Sequence, residues 1–171
     1  MEHRKLMDFL KSKRDEMIDL QRLLCSKPAI APDSGGSGEW EKSRTLIGWL
    51  NDHGFDNIKE YNAVDERVPV GKRPNVVAEL PGKRGGPSFW IMSHMDVVPP
   101  GDLELWKTDP FNVEVEEDRI IGRGVEDNQQ GLVASIFAAL YYLSQGVKPE
   151  HSVKLLFVGD EEVGSKYGIQ Y

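Results

Sequence analysis

Three short apolar runs, at residues 75–80, 88–93 and 153–158, constrain this chain more than any other feature of its sequence. Asn75-Val-Val-Ala-Glu-Leu80 and Ser88-Phe-Trp-Ile-Met-Ser93 are bounded by Pro and Gly, and Val153-Lys-Leu-Leu-Phe-Val158 is a third run of the same kind. Runs this short read as buried strands, because a helix needs about ten residues or more. Residues 131–146 are also apolar, but long enough for a helix, and they close on Gly146. Buried strands separated by helices predict an α/β layer structure whose mixed, mostly parallel sheet is flanked by helices.

Two further helices are expected ahead of the sheet. Residues 3–27 place Leu6, Leu10, Met17, Leu20 and Leu24 near one face, with Lys and Arg opposite and Pro28 as the stop. The Gly/Ser loop at 34–38 follows, and Ser37 is a candidate N-cap for a helix running through Trp40, Ile47 and Leu50 to Gly54. Phe111-Asn-Val-Glu-Val115 alternates and is expected to be a half-exposed strand, with 119–121 as its hairpin partner. At 171 residues, the chain amounts to about one domain.

Composition narrows the function classes. The 28 acidic residues outnumber 21 basic ones, which argues against a nucleic-acid partner bound through a generic basic surface. The most apolar segment, 131–143, falls far short of the ~20 residues that span a bilayer, so no membrane partner is expected. No secretory signal or lipidation motif is visible, and the single Cys25 leaves no internal disulfide. A cytoplasmic location is the expectation.

Chemistry in open α/β sheets gathers just beyond the carboxyl ends of the strands. The second apolar run ends in His94-Met-Asp96 and the third in Gly159-Asp-Glu-Glu162, while Gly122-Arg-Gly-Val-Glu-Asp127 directly precedes the apolar helix. His94 and Asp96 leave the same face of an extended segment, so the carboxylate can hold one imidazole nitrogen and aim the other at a metal. Of Glu161 and Glu162, one could bind a metal while the other takes a proton from water. Taken singly, each motif also reads as an ordinary polar turn. His3, His53 and His151 read as structural or solvated, and Cys25 as a buried, inert thiol.

The order of the three motifs is far more specific than any one of them. Together with His94-Met-Asp-Val-Val-Pro99 and Trp106-Lys-Thr-Asp-Pro-Phe111, it resembles the M20 zinc metallopeptidases and amidohydrolases: the acetylornithine deacetylase, succinyl-diaminopimelate desuccinylase, aminoacylase and carboxypeptidase G relatives. The resemblance implies a zinc-exopeptidase-like fold and two zinc ions, with cobalt or manganese as alternatives. His94 would bind one ion, Asp127 would bridge both and Glu162 would bind the second. Glu161 would be the general base and Asp96 the partner of His94; the Asp127–Asn128 peptide would be cis. The implied reaction is hydrolysis of an amide or peptide bond in a small substrate, of the N-acyl amino acid or dipeptide type.

Two departures from the family pattern stand out. Gln129 and Gln130 occupy the region where relatives commonly carry Lys before Gly131. The pattern also places a further carboxylate and a distant His after the Glu-Glu motif, with a lid or dimerisation domain between them. On that pattern residues 1–171 correspond to the N-terminal part of a catalytic domain, expected to be incomplete as a hydrolase by itself. The alternative is a noncatalytic remnant serving as an interaction or weak metal-binding module; homo-oligomerisation stays open.

Overall fold

The structure, a computed structural model, describes residues 2–171. In chain order it contains α1 (Glu2–Ser12), α2 (Arg14–Cys25), α3 (Trp40–Asp52), β1 (Ile58–Val64), β2 (Lys72–Leu80), β3 (Phe89–His94), β4 (Glu114–Glu116), β5 (Arg119–Ile121), α4 (Gln130–Ser144) and β6 (Val153–Val158). The main sheet has the order β1-β2-β6-β3, and β4 and β5 form a separate hairpin.

The α/β architecture and the mixed sheet are as expected, but the sheet is not mostly parallel. Only β3 and β6 run parallel; β1–β2 and β2–β6 are antiparallel. Connection length is the physical reason. Residues 65–71 and 81–88 are too few for the crossover of a dozen or more residues that parallel neighbours require. The chain therefore reverses after β1 and again after β2, and β6 inserts between β2 and β3. Only the long connection from β3 to β6, which carries the hairpin and α4, permits a parallel pair.

Three local differences have equally plain causes. The expected 3–27 helix breaks at Lys13 (φ −99°, ψ 7°), whose amide still reaches the carbonyls of Phe9 and Leu10 at 3.1 Å. The apolar face continues across that break, so periodicity does not register it. Strand β1 escapes a sequence reading because Ile58-Lys-Glu-Tyr-Asn-Ala-Val64 is largely exposed at the sheet edge. The residue entering α3 is Glu39, not Ser37, and no side chain caps the helix.

Helices α2, α3 and α4 cover one face of the sheet. Leu20, Leu24, Leu46, Leu50, Leu132, Ile136 and Phe137 pack there against Val76, Ala78, Leu155 and Phe157. Each fully buried side chain of this size contributes about 1.5–3 kcal/mol, which makes this layer the scaffold that fixes where β3 and β6 end. Among the described residues, no helix is long and apolar enough to cross a membrane.

The opposite face is open in part. Met92, Leu156 and Val77 align across three strands, and Trp90, Met92 and Tyr61 are each about half exposed. The outer edge of β3 pairs with no strand among the described residues. An unpaired edge beside exposed apolar side chains favours association. Sedimentation velocity should show the chain self-associating as its concentration rises, and Trp90→Glu with Met92→Glu should shift it toward monomer with little change in Tm. A wild-type chain that stays monomeric at high concentration would sink this expectation.

Candidate metal centre

The parallel β3–β6 pair delivers the two decisive strand ends side by side. His94 lies opposite Val158 in the ladder, and the Met95 amide extends that ladder by donating to the Val158 carbonyl at 2.7 Å. Asp96, on the next turn of chain, is only 1% exposed. Its Oδ1 accepts the Glu161 amide at 3.1 Å and its Oδ2 accepts the Glu162 amide at 3.0 Å. One buried carboxylate thus ties the exit of β3 to the exit of β6.

The third segment arrives through a close backbone approach. Gly124 has φ +82°, and a Cβ there would lie 2.4 Å from Cγ1 of Val97. Only glycine lets the chain pass the 96–98 segment in this conformation. A single wide turn, Val125–Gln129, then presents Asp127 before α4 begins, and the Asp127–Asn128 peptide is cis.

His94, Asp127 and Glu162 consequently meet: one donor atom from each lies within 4.8 Å of the others. The His94 Nδ1 is 3.0 Å from the Asp96 carbonyl oxygen. A carbonyl only accepts, so Nδ1 carries the hydrogen and a neutral ring presents its bare Nε2. That Nε2 faces Asp127 Oδ1 at 3.0 Å and Glu161 Oε2 at 3.8 Å. Acceptors facing one another at such distances need a proton or a cation between them. An imidazole nitrogen with carboxylate oxygens is also a donor set suited to first-row divalent ions, so the residues present fit a metal.

The charges agree with that fit. Burial works against a charged His94, yet hydrogen bonding to Asp96 and Asp127 and the charge of Asp96 outweigh it, raising its pKa to about 9. Burial also opposes ionisation of Asp96, but the His94 ring and the amides of Glu162 and Glu161 hold its pKa below the ordinary carboxylate value. Glu162 moves upward, through burial first and the neighbouring Asp127 charge second. The site holds more negative charge than it can neutralise alone.

Asp96 departs in detail from the expected pairing. The ring's nearer partner is its backbone carbonyl, while its carboxylate Oδ1 stands 3.6 Å from Nδ1 and is committed to the two amides. Asp127 and Glu161 remain solvent-accessible, with side chains 67% and 50% exposed. A cleft of about 320 Å³ opens beside them, lined by Val98, Arg123, Glu126, Asp127 and Glu162. Arg123 braces its wall, donating to the Pro100 carbonyl at 3.2 Å and lying over the Trp106 ring at 5.4 Å. A larger groove of about 600 Å³ lies elsewhere, against α1, α2 and β5, and holds none of these side chains.

Sequence reasoning missed a set of buried charges behind this site. Glu39 and Arg73 are wholly buried, as are Lys42, whose Nζ donates to the Met95 carbonyl at 2.9 Å, and Asp160. Their local sequences, Gly38-Glu-Trp-Glu-Lys42 and Gly71-Lys-Arg-Pro74, read as polar loop or helix surface and carry no signal of burial. The Cys25 thiol is buried, as expected, and burial raises its pKa. Gln129 is buried against Gln21 at 3.4 Å, where it supports α2 rather than the donor cluster.

Comparison with known proteins points the same way. Residues 90–171 match the profile of Peptidase family M20/M25/M40. An uncharacterized metallohydrolase of Methanococcus maripaludis is 40% identical over 169 residues, covering 95% of this chain and 40% of that protein. A succinyl-diaminopimelate desuccinylase of Gluconobacter oxydans is 36% identical over 152 residues, covering 88% of this chain and 36% of the relative. The crystal structure of an M20 family metallo-carboxypeptidase from Sulfolobus solfataricus superposes with a TM-score of 0.71 at 29% identity, covering 88% of this chain and 32% of that one. The chain thus spans about two fifths or less of the length of these proteins.

The raised His94 pKa has a measurable consequence for the metal-free protein. A pKa lifted from 6.5 to about 9 contributes stability that is fully present below about pH 6.5 and is lost as pH rises through about 9. NMR titration of the chelator-treated chain should find His94 changing charge near the upper value, with the melting temperature falling across the same window. Saturating zinc should abolish that titration. A metal-free His94 that titrates at or below 6.5 would contradict the assigned contacts.

Proposed function

The chain belongs to the M20 metallopeptidase family, and from that membership we propose that it carries the core of a zinc-dependent site hydrolysing an amide or peptide bond in a small substrate. The observation that carries this reading is the meeting of His94, Asp127 and Glu162 beside the exposed carboxylate of Glu161. His94, Asp127 and Glu162 would hold the metal. When bound there, zinc would supply a Lewis acid able to polarise the scissile carbonyl and to make a water molecule more acidic.

The chain's own residues handle the rest. Asp96 fixes His94 through its carbonyl and fixes the Glu161–Glu162 turn through its carboxylate. Glu161, half exposed and 3.8 Å from the His94 ring, takes a proton from the attacking water. The water oxygen bonds to the carbonyl carbon, the C–N bond breaks, and Glu161 returns the proton to the departing amine nitrogen. The products are a carboxylic acid and a free amine. The 320 Å³ cleft suits a small ligand at the lower end of ordinary pocket sizes, which favours N-acyl amino acids or dipeptides over folded proteins. A single buried thiol, Cys25, fits a reducing cytoplasm.

Two substitutions separate base from ligand. Glu161→Gln fills the same space but cannot accept the water's proton, so in the full-length protein it should keep most of the zinc and lose hydrolysis of N-acyl amino acids and dipeptides by about 10²–10⁴-fold. His94→Ala should lower zinc affinity itself, by about tenfold or more. Zinc content and hydrolysis measured on both variants decide the assignment: equal zinc loss in the two, with activity following zinc alone, would overturn it.

A further inference from the structure

Behind the donor cluster lies a group of buried charges that the hydrolytic reading leaves without a task. Arg73, from β2, and Glu39, at the start of α3, have fully buried side chains. Arg73 holds Glu39 with both arms of its fork: Nε donates to Oε2 at 2.6 Å, and Nη2 donates to Oε1. Its remaining nitrogen, Nη1, lies 3.0 Å from Oδ1 of Asp160 as an ion pair, and neither atom has a hydrogen-bond partner. Glu39 Oε1 also accepts the Asp160 amide at 3.2 Å. The far oxygen of Asp160 accepts the Tyr167 amide at 3.0 Å. Asp160 is therefore gripped at its amide and at both carboxylate oxygens.

The backbone at that point explains why a grip is needed. Asp160 adopts φ +66°, ψ 12°, the left-handed region that non-glycine residues rarely occupy. This reversal turns the chain out of β6 so that the next two amides, those of Glu161 and Glu162, point at Asp96. Gly159 makes room for the arrangement: a Cβ there would stand 2.7 Å from the Glu39 carboxyl carbon.

We propose that Arg73 and Glu39 are positioning residues which, acting through Asp160, hold the Glu161–Glu162 turn in its metal-ready conformation. The inference rests on the hydrolytic reading above, because it assigns the cluster to the same site. A buried ion pair is a poor general device for stability, since desolvation offsets much of its attraction, but its fixed geometry can specify one conformation. A two-armed guanidinium grip is also something Lys cannot reproduce. The cluster thus links β2 and α3 to the turn, beside the bonds that Asn75 of β2 makes with the Gly159 amide and the Tyr167 carbonyl, and metal affinity becomes sensitive to residues that cannot touch the metal.

Arg73→Lys keeps the charge and removes the second arm; Asp160→Gly keeps a backbone at ease in the left-handed region and removes both side-chain anchors. In the 171-residue chain, both should bind zinc at least tenfold more weakly than wild type, measured by competition with a chromophoric chelator. The visible absorption of the bound-cobalt form should change as well, which general loss of stability in a still-folded protein would not cause. Arg84→Lys, altering an exposed arginine that pairs with Glu150 and touches no member of the cluster, should leave both readouts unchanged. Folded Arg73→Lys and Asp160→Gly variants with wild-type affinity and spectrum would overturn the inference. Hydrogen exchange on the metal-free wild type decides it should both variants fail to fold. Amides of Glu161 and Glu162 protected as well as those of β6 support a preformed turn, and rapid exchange at both rejects it. A wild-type chain that binds no zinc overturns the site reading and this inference together, whereas wild-type binding with unaffected variants removes this inference alone.

Discussion

The carboxylate of Asp96 is the point on which the site depends. It is buried, it accepts the amides of both Glu161 and Glu162, and it lies beside the ring of His94. Hydrogen bonds from amides to an ionised, buried carboxylate are stronger than those between neutral groups. An Asp here therefore does more than orient a histidine. It closes the gap between two neighbouring strand ends, so that side chains nearly seventy residues apart in sequence act as one constellation. Without that tie the amides of Glu161 and Glu162 would lose their anchor at the end of β3.

Everything around Asp96 can be understood as the means of keeping it charged and in place. The helical layer on one face of the sheet buries the strands and fixes the parallel β3–β6 register. Gly124 lets the Asp127 turn pass close to Val97, which brings a third donor over the same spot. Lys42 reaches through the core to the Met95 carbonyl, the residue between His94 and Asp96. Its burial lowers its pKa to about 8, against the pull of Cys25, Asp96 and Glu39. Removing one partner from a buried charge pair such as Arg73–Glu39 typically costs about 3–5 kcal/mol, because the other is left uncompensated. The rear of the site is thus a region where single substitutions act on architecture and on metal binding together.

The same arrangement leaves the front short of positive charge. His94, Asp127, Glu161 and Glu162 crowd donors into a space a few ångströms across, and, against burial, the bonds of the histidine to Asp96 and Asp127 raise its pKa to about 9. A divalent ion relieves that crowding more completely than a proton does, since it can be shared by several carboxylates at once. The mixed sheet matters here too. A parallel pair sends both of its strand ends to the same edge, whereas the antiparallel β1 and β2 serve to widen the sheet and carry Arg73 beneath the site.

The sequence by itself determined the α/β class, the positions of β2, β3, β6, α3 and α4, and the identity of the acidic and histidine motifs. These are local properties: length of an apolar run, its bounding Pro and Gly, and chemically distinctive residues directly after it. Tertiary structure alone decided the rest. Strand order and direction followed from loops too short to cross over, which no single run reveals. Strand β1 was hidden because an edge strand needs little apolar patterning. Asp96 offers its carbonyl to His94 and its carboxylate to two distant amides, a division that depends on how β6 ends rather than on the His-x-Asp spacing. Glu39, Arg73 and Asp160 meet only because α3, β2 and the β6 turn converge, and buried charges carry no hydrophobic signature by which a sequence could announce them.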